Sequence, residues 1–168
     1  MIIIEGADCT GKTTLAKEIC ERTGLLYKHM GPPEEYADFD HILWYDKNSK
    51  FPAVWDRFHL GEHTYGALRL SKRGSLDQQL VVRGLLGARG ATVVILYSES
   101  DEWLRAKFLE SKKAEMYSAD QVLSINAMYR LLAHTGQWYD FAHDVSSGWP
   151  SRTLIEAVIA TSRWQWRA

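Results

Sequence analysis

The chain has 168 residues, with 20 Lys and Arg against 21 Asp and Glu and a formal charge of −1. That length suits a single domain over 1–168 that buries its own core, and the interleaved charge lacks the broad positive footprint of a nucleic-acid binder, leaving a small charged ligand as the better partner. The two cysteines, Cys9 and Cys20, make no disulfide or zinc framework, no apolar stretch approaches the roughly 18 residues of a membrane span, and no leader precedes the first strand, so a cytoplasmic setting is expected.

Met1 to Ile4 is a β-branched run that reads as a strand, and Leu15, Ala16, Ile19 and Cys20 fall at helical spacing within a helix predicted over 11–23, stopped by Gly24. Leu25 to Met30 reads as a second strand, broken by Gly31-Pro32-Pro33. A helix over 34–45, a polar turn over 46–50 and a buried strand from Pro52 to Asp56 follow. Helices are expected over 61–72 and 76–88, the second closed by Gly90, and Ala91 to Tyr97 is the clearest strand. Helices over 101–113 and 119–135, a short strand over 141–145 and a Ser-capped helix over 151–164 complete the chain. Strands alternating with helices predict an α/β fold: a three-layer sandwich of the P-loop type, its parallel five-stranded sheet covered by helices on both faces, with ligands at the carboxyl ends of the strands.

Between the first strand and helix lies Gly6-Ala7-Asp8-Cys9-Thr10-Gly11-Lys12-Thr13, which fits G-x-x-x-x-G-K-[ST] in its required setting. Its glycines let successive backbone N–H groups of Gly6, Cys9, Thr10, Gly11 and their neighbours turn inward as an anion nest at the positive end of the helix. Phosphate is the natural occupant, which makes the segment a nucleotide-binding loop. Lys12 is expected to reach the β- and γ-phosphates of ATP, Thr13 to ligate a bridging Mg²⁺, and Thr14 to donate a further bond.

The third strand ends Val54-Trp55-Asp56-Arg57-Phe58-His59, bringing an acid and an arginine to the sheet edge where that loop lies. Asp56 suits the water shell of the Mg²⁺, and Arg57 suits a bidentate grip on the phosphate of a second substrate. His59 and His63 lie four apart but lack the third ligand and glutamate of a zinc site. Trp44, Tyr45, Phe51 and Tyr65 flank this strand, as walls for a base or as core, while Trp149, Trp164 and Trp166 read as core or interface anchors.

Ile4-Glu5-Gly6-Ala7-Asp8-Cys9-Thr10-Gly11-Lys12-Thr13-Thr14 together with Asp56-Arg57-Phe58 resembles the thymidylate kinases, within the nucleoside monophosphate kinases and in the compact form that phages encode. The resemblance implies that Asp8 bonds the sugar 3′-hydroxyl of the acceptor monophosphate, that Arg57 grips its phosphate, and that Arg69 lies near its base. Thr64-Tyr65-Gly66 stands where the family carries Tyr-Gln-Gly, placing Tyr65 in the acceptor pocket, and Lys28-His29-Met30-Gly31-Pro32-Pro33 stands where the family's second strand leads into an Arg-Glu-Pro-Gly-like segment, so that Lys28 or His29 is expected to contact the acceptor phosphate. Where some members place an arginine, this chain has Cys9, so the charge on the transferring phosphoryl group falls to a basic segment over 105–118 that would form a mobile lid, with Arg105 as its catalytic cation. A homodimer is a further implication, and a phage origin would make the compartment the host cytoplasm.

The expected activity is therefore transfer of the ATP γ-phosphoryl group to a deoxynucleoside monophosphate, dTMP or another, modified pyrimidine included, with Mg²⁺ as cofactor. A deoxynucleoside kinase, which needs a carboxylate base and typically carries Asp/Glu-Arg-Ser at the later motif, is the rival, and Phe58 and Asp8 argue against it. A gluconate- or shikimate-type kinase and a noncatalytic nucleotide-dependent switch are the remaining alternatives.

Overall fold

The computed structural model describes residues 1–30, 41–69, 76–111 and 118–163. Five strands, β1 (Ile2–Gly6), β2 (Leu26–His29), β3 (Ala53–Asp56), β4 (Thr92–Tyr97) and β5 (Phe141–Asp144), form one sheet in the order β2-β3-β1-β4-β5. Every neighbouring pair is parallel, with Ile4 opposite both Asp56 and Val94. Because β1 is central, all five of its residues are buried, and its side chains divide by the period of two. Ile2 and Ile4 pack with Leu15 and Ile19 of α1 (Lys12–Thr23) and Ile155 and Val158 of α7 (Arg152–Arg163). Ile3 packs on the other face with Tyr45 of α2 (His41–Asn48) and Val82 and Leu86 of α4 (Leu76–Ala88). A third cluster joins Ala7, Leu60 and Tyr65 to Phe108 of α5 (Asp101–Leu109) and Val122, Ile125 and Tyr129 of α6 (Ala119–Thr135), with α6 packed on β4 and α3 (Leu60–Arg69) touching both α6 and β1.

Local chemistry sets most of the ends. Gly11 and Gly24 bracket α1 at φ 82° and 73°, and the Gly24 amide donates to the Cys20 carbonyl at 2.8 Å. A capping box between Ser118 and Gln121 opens α6 and Gly136, at φ 70°, closes it. The Ser151 hydroxyl accepts from the Leu154 amide at 3.1 Å, the cap expected for α7.

The structure departs from the sequence reading in three places. Residues 46–48 belong to α2 and not to a polar turn, since Tyr45 is buried and the Arg89 guanidinium bonds the Asp46 carboxylate, the Asp46 carbonyl and the Ser49 hydroxyl. The polar run is thus a docking point for the end of α4. Helix α5 stops at Leu109 rather than 113, and the residues 112–117 of the expected lid lie outside the described residues. Trp149 is no core anchor: it is half exposed and its ring lies on the phosphate loop. The remaining parts of the helices expected over 34–45 and 61–72, the Gly31-Pro32-Pro33 break, Trp164 and Trp166 also lie outside the described residues.

One close approach can be tested. A Cβ on Gly6 would collide with the Leu96 carbonyl of β4 and with the Thr10 hydroxyl, at a φ of 150° that disfavours a side chain. The obstacle is backbone, so Gly6→Ala is expected to cost about 3 kcal/mol or more in a denaturant titration. An unshifted midpoint would show that β1 and β4 can separate at this point.

Candidate phosphate-transfer site

The loop from Gly6 to Thr13 leaves the carboxyl end of β1 and enters α1 through two left-handed residues, Cys9 at φ 66° and Gly11 at φ 82°. Cys9 pays the steric cost of a side chain in that conformation, which turns the loop back over itself. Within the loop the Thr10 hydroxyl donates to the Ala7 carbonyl at 2.9 Å and the Lys12 ammonium to the same carbonyl at 2.5 Å. Lys12 is only 5% exposed, so its charge is held against the loop.

Beside it, at the end of β3, the Asp56 carboxylate is 1% exposed. Its Oδ2 accepts from the Thr13 hydroxyl at 2.5 Å and the Tyr27 hydroxyl at 3.0 Å, and His29 Nδ1 lies 3.4 Å away, while Oδ1 has no partner among the described residues. Burial works to raise this carboxyl, but the Lys12 charge, the Thr13 hydroxyl and His29 outweigh it and hold Asp56 below its ordinary value. It is an anion aimed into a cavity of about 160 Å³ lined by Cys9, Gly11, Lys12, Thr13, His29, Asp56 and Arg57. At about 30 Å³ per water, that volume holds on the order of five waters or a phosphate group.

Arg57 follows at φ 69°, its amide bonded to the Ile4 carbonyl at 2.9 Å. The guanidinium pairs with Asp8, donates to the Tyr65 hydroxyl at 3.2 Å and lies 4.7 Å over the Tyr65 ring. Tyr65 in turn donates to Asp8 Oδ2 at 3.3 Å. Burial opposes the Arg57 charge, yet Tyr65 and Asp8 push its pKa further up, so it is a permanent cation. Its Nε has no partner among the described residues.

The structure thus brings together all the loop residues, Asp8, Asp56, Arg57, Tyr65 and His29. Strand alternation sends Lys28 to the opposite face of β2 from His29, and its exposed side chain does not line the cavity. Arg105 is on α5, paired with Asp120 of α6 at 2.6 Å. Arg69 ends α3, with its side chain outside the description. Thr14 lines a groove of about 630 Å³ that runs along α1 to Arg22. His59 is wholly buried, and burial drops its pKa to about 3, so it is a neutral core residue. Trp44, Tyr45, Trp55 and Phe58 form one packed aromatic cluster, with centroids 4.9 to 6.2 Å apart, whereas Phe51 is exposed.

Two residues carry more than their sequence positions suggested. Trp149 stands so close to the loop that a Cβ on Gly11 would lie 2.5 Å from its ring, and its Nε1 donates to Glu18 at 3.4 Å. A bulky aromatic beside Gly148 and Pro150 after the last strand was its only signal. Glu5, fully buried, accepts from the Phe58 and Leu60 amides at 3.0 Å each and from the Tyr129 hydroxyl at 3.0 Å. A charged residue inside a strand buried on both faces was the signal there.

No family model matches the chain, and no curated protein matches it in sequence. Among solved structures it is similar to the YorR protein of Bacillus subtilis in complex with phosphorylated GDP, with a TM-score of 0.77 and 19% identity over 99% of this chain and 98% of that one. It is also similar to a gluconokinase from Sinorhizobium meliloti 1021, with a TM-score of 0.58 and 16% identity over 97% and 91%. A deoxyadenosine kinase from M. mycoides with bound dCTP gives 0.58 and 17% over 98% and 100%. The chain has the P-loop kinase fold, an α/β sandwich around a parallel sheet of order 2-3-1-4-5. At these identities the likeness is one of fold, and it assigns the chain to no thymidylate kinase family. No helix among the described residues is long and apolar enough to cross a membrane.

Burial raises the Glu5 carboxyl from 4.5 to about 7, against the opposing pull of the Leu60 amide, Tyr129 and Lys12. The folded state therefore binds a proton more tightly than the unfolded state, and this contribution to stability is full below pH 4.5 and lost as pH rises through 7. The thermal midpoint of the wild type is expected to fall relative to Glu5→Gln between pH 5 and pH 8. Parallel curves for the two proteins would contradict a raised Glu5.

Proposed function

We propose that the chain is an ATP-dependent phosphotransferase that phosphorylates a deoxynucleoside monophosphate. The observation that carries this reading is the pairing of two cationic anion sites on adjacent strand ends, the loop with Lys12 and the guanidinium of Arg57, which line the same cavity. A nucleotide switch needs only the first. A second fixed cation beside the loop suits a second phosphorylated substrate.

In this reading the γ-phosphoryl group leaves the bridging oxygen of ADP and bonds to an oxygen of the acceptor phosphate. That oxygen is already ionised, so no general base is required, and catalysis consists of alignment and charge neutralisation. Lys12 holds the donor phosphates and Arg57 the acceptor phosphate, oriented by Asp8 and Tyr65, while Asp8 also faces the sugar hydroxyl. His29 adds a donor at the cavity wall. Arg105 is assigned the charge on the transferring group within a lid over 105–118, and an exposed pair such as Arg105 with Asp120 is worth about 0–1 kcal/mol and breaks readily. Thr13 and Asp56 fit a Mg²⁺, given the buried Oδ1 that lacks a partner among the described residues, and such an ion would neutralise donor phosphate charge when bound. The groove beyond Thr14 leads the donor nucleoside along α1 to Glu18, the partner of the half-exposed Trp149 ring, which is available for stacking.

The test is ADP release with product identification for the pure protein, ATP and Mg²⁺ against separate deoxynucleosides and their monophosphates. Diphosphate formed from a monophosphate is the expected product, and turnover of nucleosides alone would move the reaction to the sugar hydroxyl. Lys12→Ala is expected to lower kcat about 10²–10³-fold. Loss of charged hydrogen bonds in Arg57→Ala is expected to raise the acceptor KM about 10–100-fold with donor KM unchanged, and unchanged acceptor kinetics would refute the pocket. Trp149→Ala is expected to raise donor KM about 3–10-fold with acceptor KM unchanged.

A further inference from the structure

Helix α3 begins at Leu60, and the Phe58-His59 that separates it from the Asp56-Arg57 pair offers no Ser, Thr, Asp or Asn to receive its first amides. His59 does not serve: both its ring nitrogens lack partners among the described residues. The first helical amide, that of Leu60, is instead taken by a carboxylate from another strand, together with the Phe58 amide of the turn before the helix. Glu5 Oε1 accepts from both Phe58 N and Leu60 N at 3.0 Å, so a residue of β1 binds the turn and the first amide of α3. With the Arg57 amide bonded to the Ile4 carbonyl at 2.9 Å, the turn over 57–60 is tied to β1 by three backbone donors. These ties hold Arg57 at its left-handed φ of 69°, a conformation a side-chain-bearing residue keeps only when its surroundings impose it.

We infer that Glu5 is a positioning residue for the acceptor-phosphate arginine, acting through the Phe58 and Leu60 amides to fix the backbone from which Arg57 projects. This rests on the reading of Arg57 as a ligand of the acceptor phosphate. Glu5 itself does not reach substrate: it is fully buried. The neighbouring groups explain why a carboxylate is used. Three donors converge on it, two amides on one oxygen and the Tyr129 hydroxyl of α6 at 3.0 Å on the other, and His59, with Nδ1 3.8 Å away, is neutral and supplies no counter-ion. An amide side chain keeps one acceptor oxygen for the two backbone donors and gives up only the acceptor for Tyr129. A shortened carboxylate keeps the charge but withdraws from all three.

Glu5→Gln and Glu5→Asp separate position from charge. In steady-state kinetics with ATP and the accepted monophosphate, Glu5→Asp is expected to raise acceptor KM at least tenfold with donor KM within twofold, and Glu5→Gln to restore acceptor KM to within threefold of wild type. Amide hydrogen exchange should show Phe58 and Leu60 deprotected in Glu5→Asp and protected in Glu5→Gln. Equal increases in both KM values, an unmoved acceptor KM in Glu5→Asp, or a Glu5→Gln protein as impaired as Glu5→Asp would overturn the inference. If Glu5→Asp does not fold, the inference stands or falls on Glu5→Gln: protected amides with near-wild-type acceptor KM support it, and a raised acceptor KM with those amides still protected overturns it. A wild-type protein that turns over no monophosphate would overturn the reading of Arg57 itself, and that result is distinct from an active wild type with unmoved variants.

Discussion

Strand β1 leaves the sheet at Gly6 so close to the Leu96 carbonyl of β4 that no side chain fits between them. A parallel sheet tolerates such an approach only at a glycine, and here it occurs where the strand gives way to the anion nest. The position of the nest is consequently set by the best-packed part of the molecule, a strand with all five residues buried and hydrogen-bonded neighbours on both sides. Asp56 and Arg57 inherit the same precision because Ile4 pairs with Asp56 and its carbonyl receives the Arg57 amide.

On that frame the charges are arranged in alternation. Lys12 and Arg57 are cations held by the Ala7 carbonyl and by Asp8 with Tyr65, and Asp56 is an anion held by hydroxyl donors from α1 and β2. Each has its orientation fixed before a ligand arrives. Groups that are fixed in advance lose little freedom on binding and need no rearrangement when charge moves between phosphates. The interior supplies what keeps them so, with Tyr65 stacked beneath the guanidinium and Glu5 beneath the turn.

The parts of this arrangement legible in the sequence are those determined by neighbours along the chain. Helices α4 and α6 and the ends of α1 were readable because apolar spacing and the residues at their termini agree. The phosphate loop was readable for the same reason, its letters and its strand-to-helix setting coinciding. Residues 46–48 were misread because their polarity answers to Arg89, some forty residues away, and local pattern carries no trace of that. Lys28 and His29 could not be told apart until the pairing of β2 with β3 fixed which of them shares a face with Asp56. Trp149 and Glu5 were passed over for a related reason: each meets the site across more than fifty residues of intervening chain, through contacts that only the closed fold creates.

The bond between Tyr129 and Glu5 joins positions 124 residues apart. During vectorial synthesis at roughly 5–20 residues per second, the segment bearing the phosphate loop is complete on the order of ten seconds before Tyr129 is made. Strand β4, which flanks β1 on the other side, also arrives some ninety residues later. The segment through Tyr65 therefore contains the phosphate loop, Asp56 and Arg57 and yet has neither β4 nor the helix α6 that holds them in register. A chain truncated before β4 thus carries the motif without the contacts that give it its geometry.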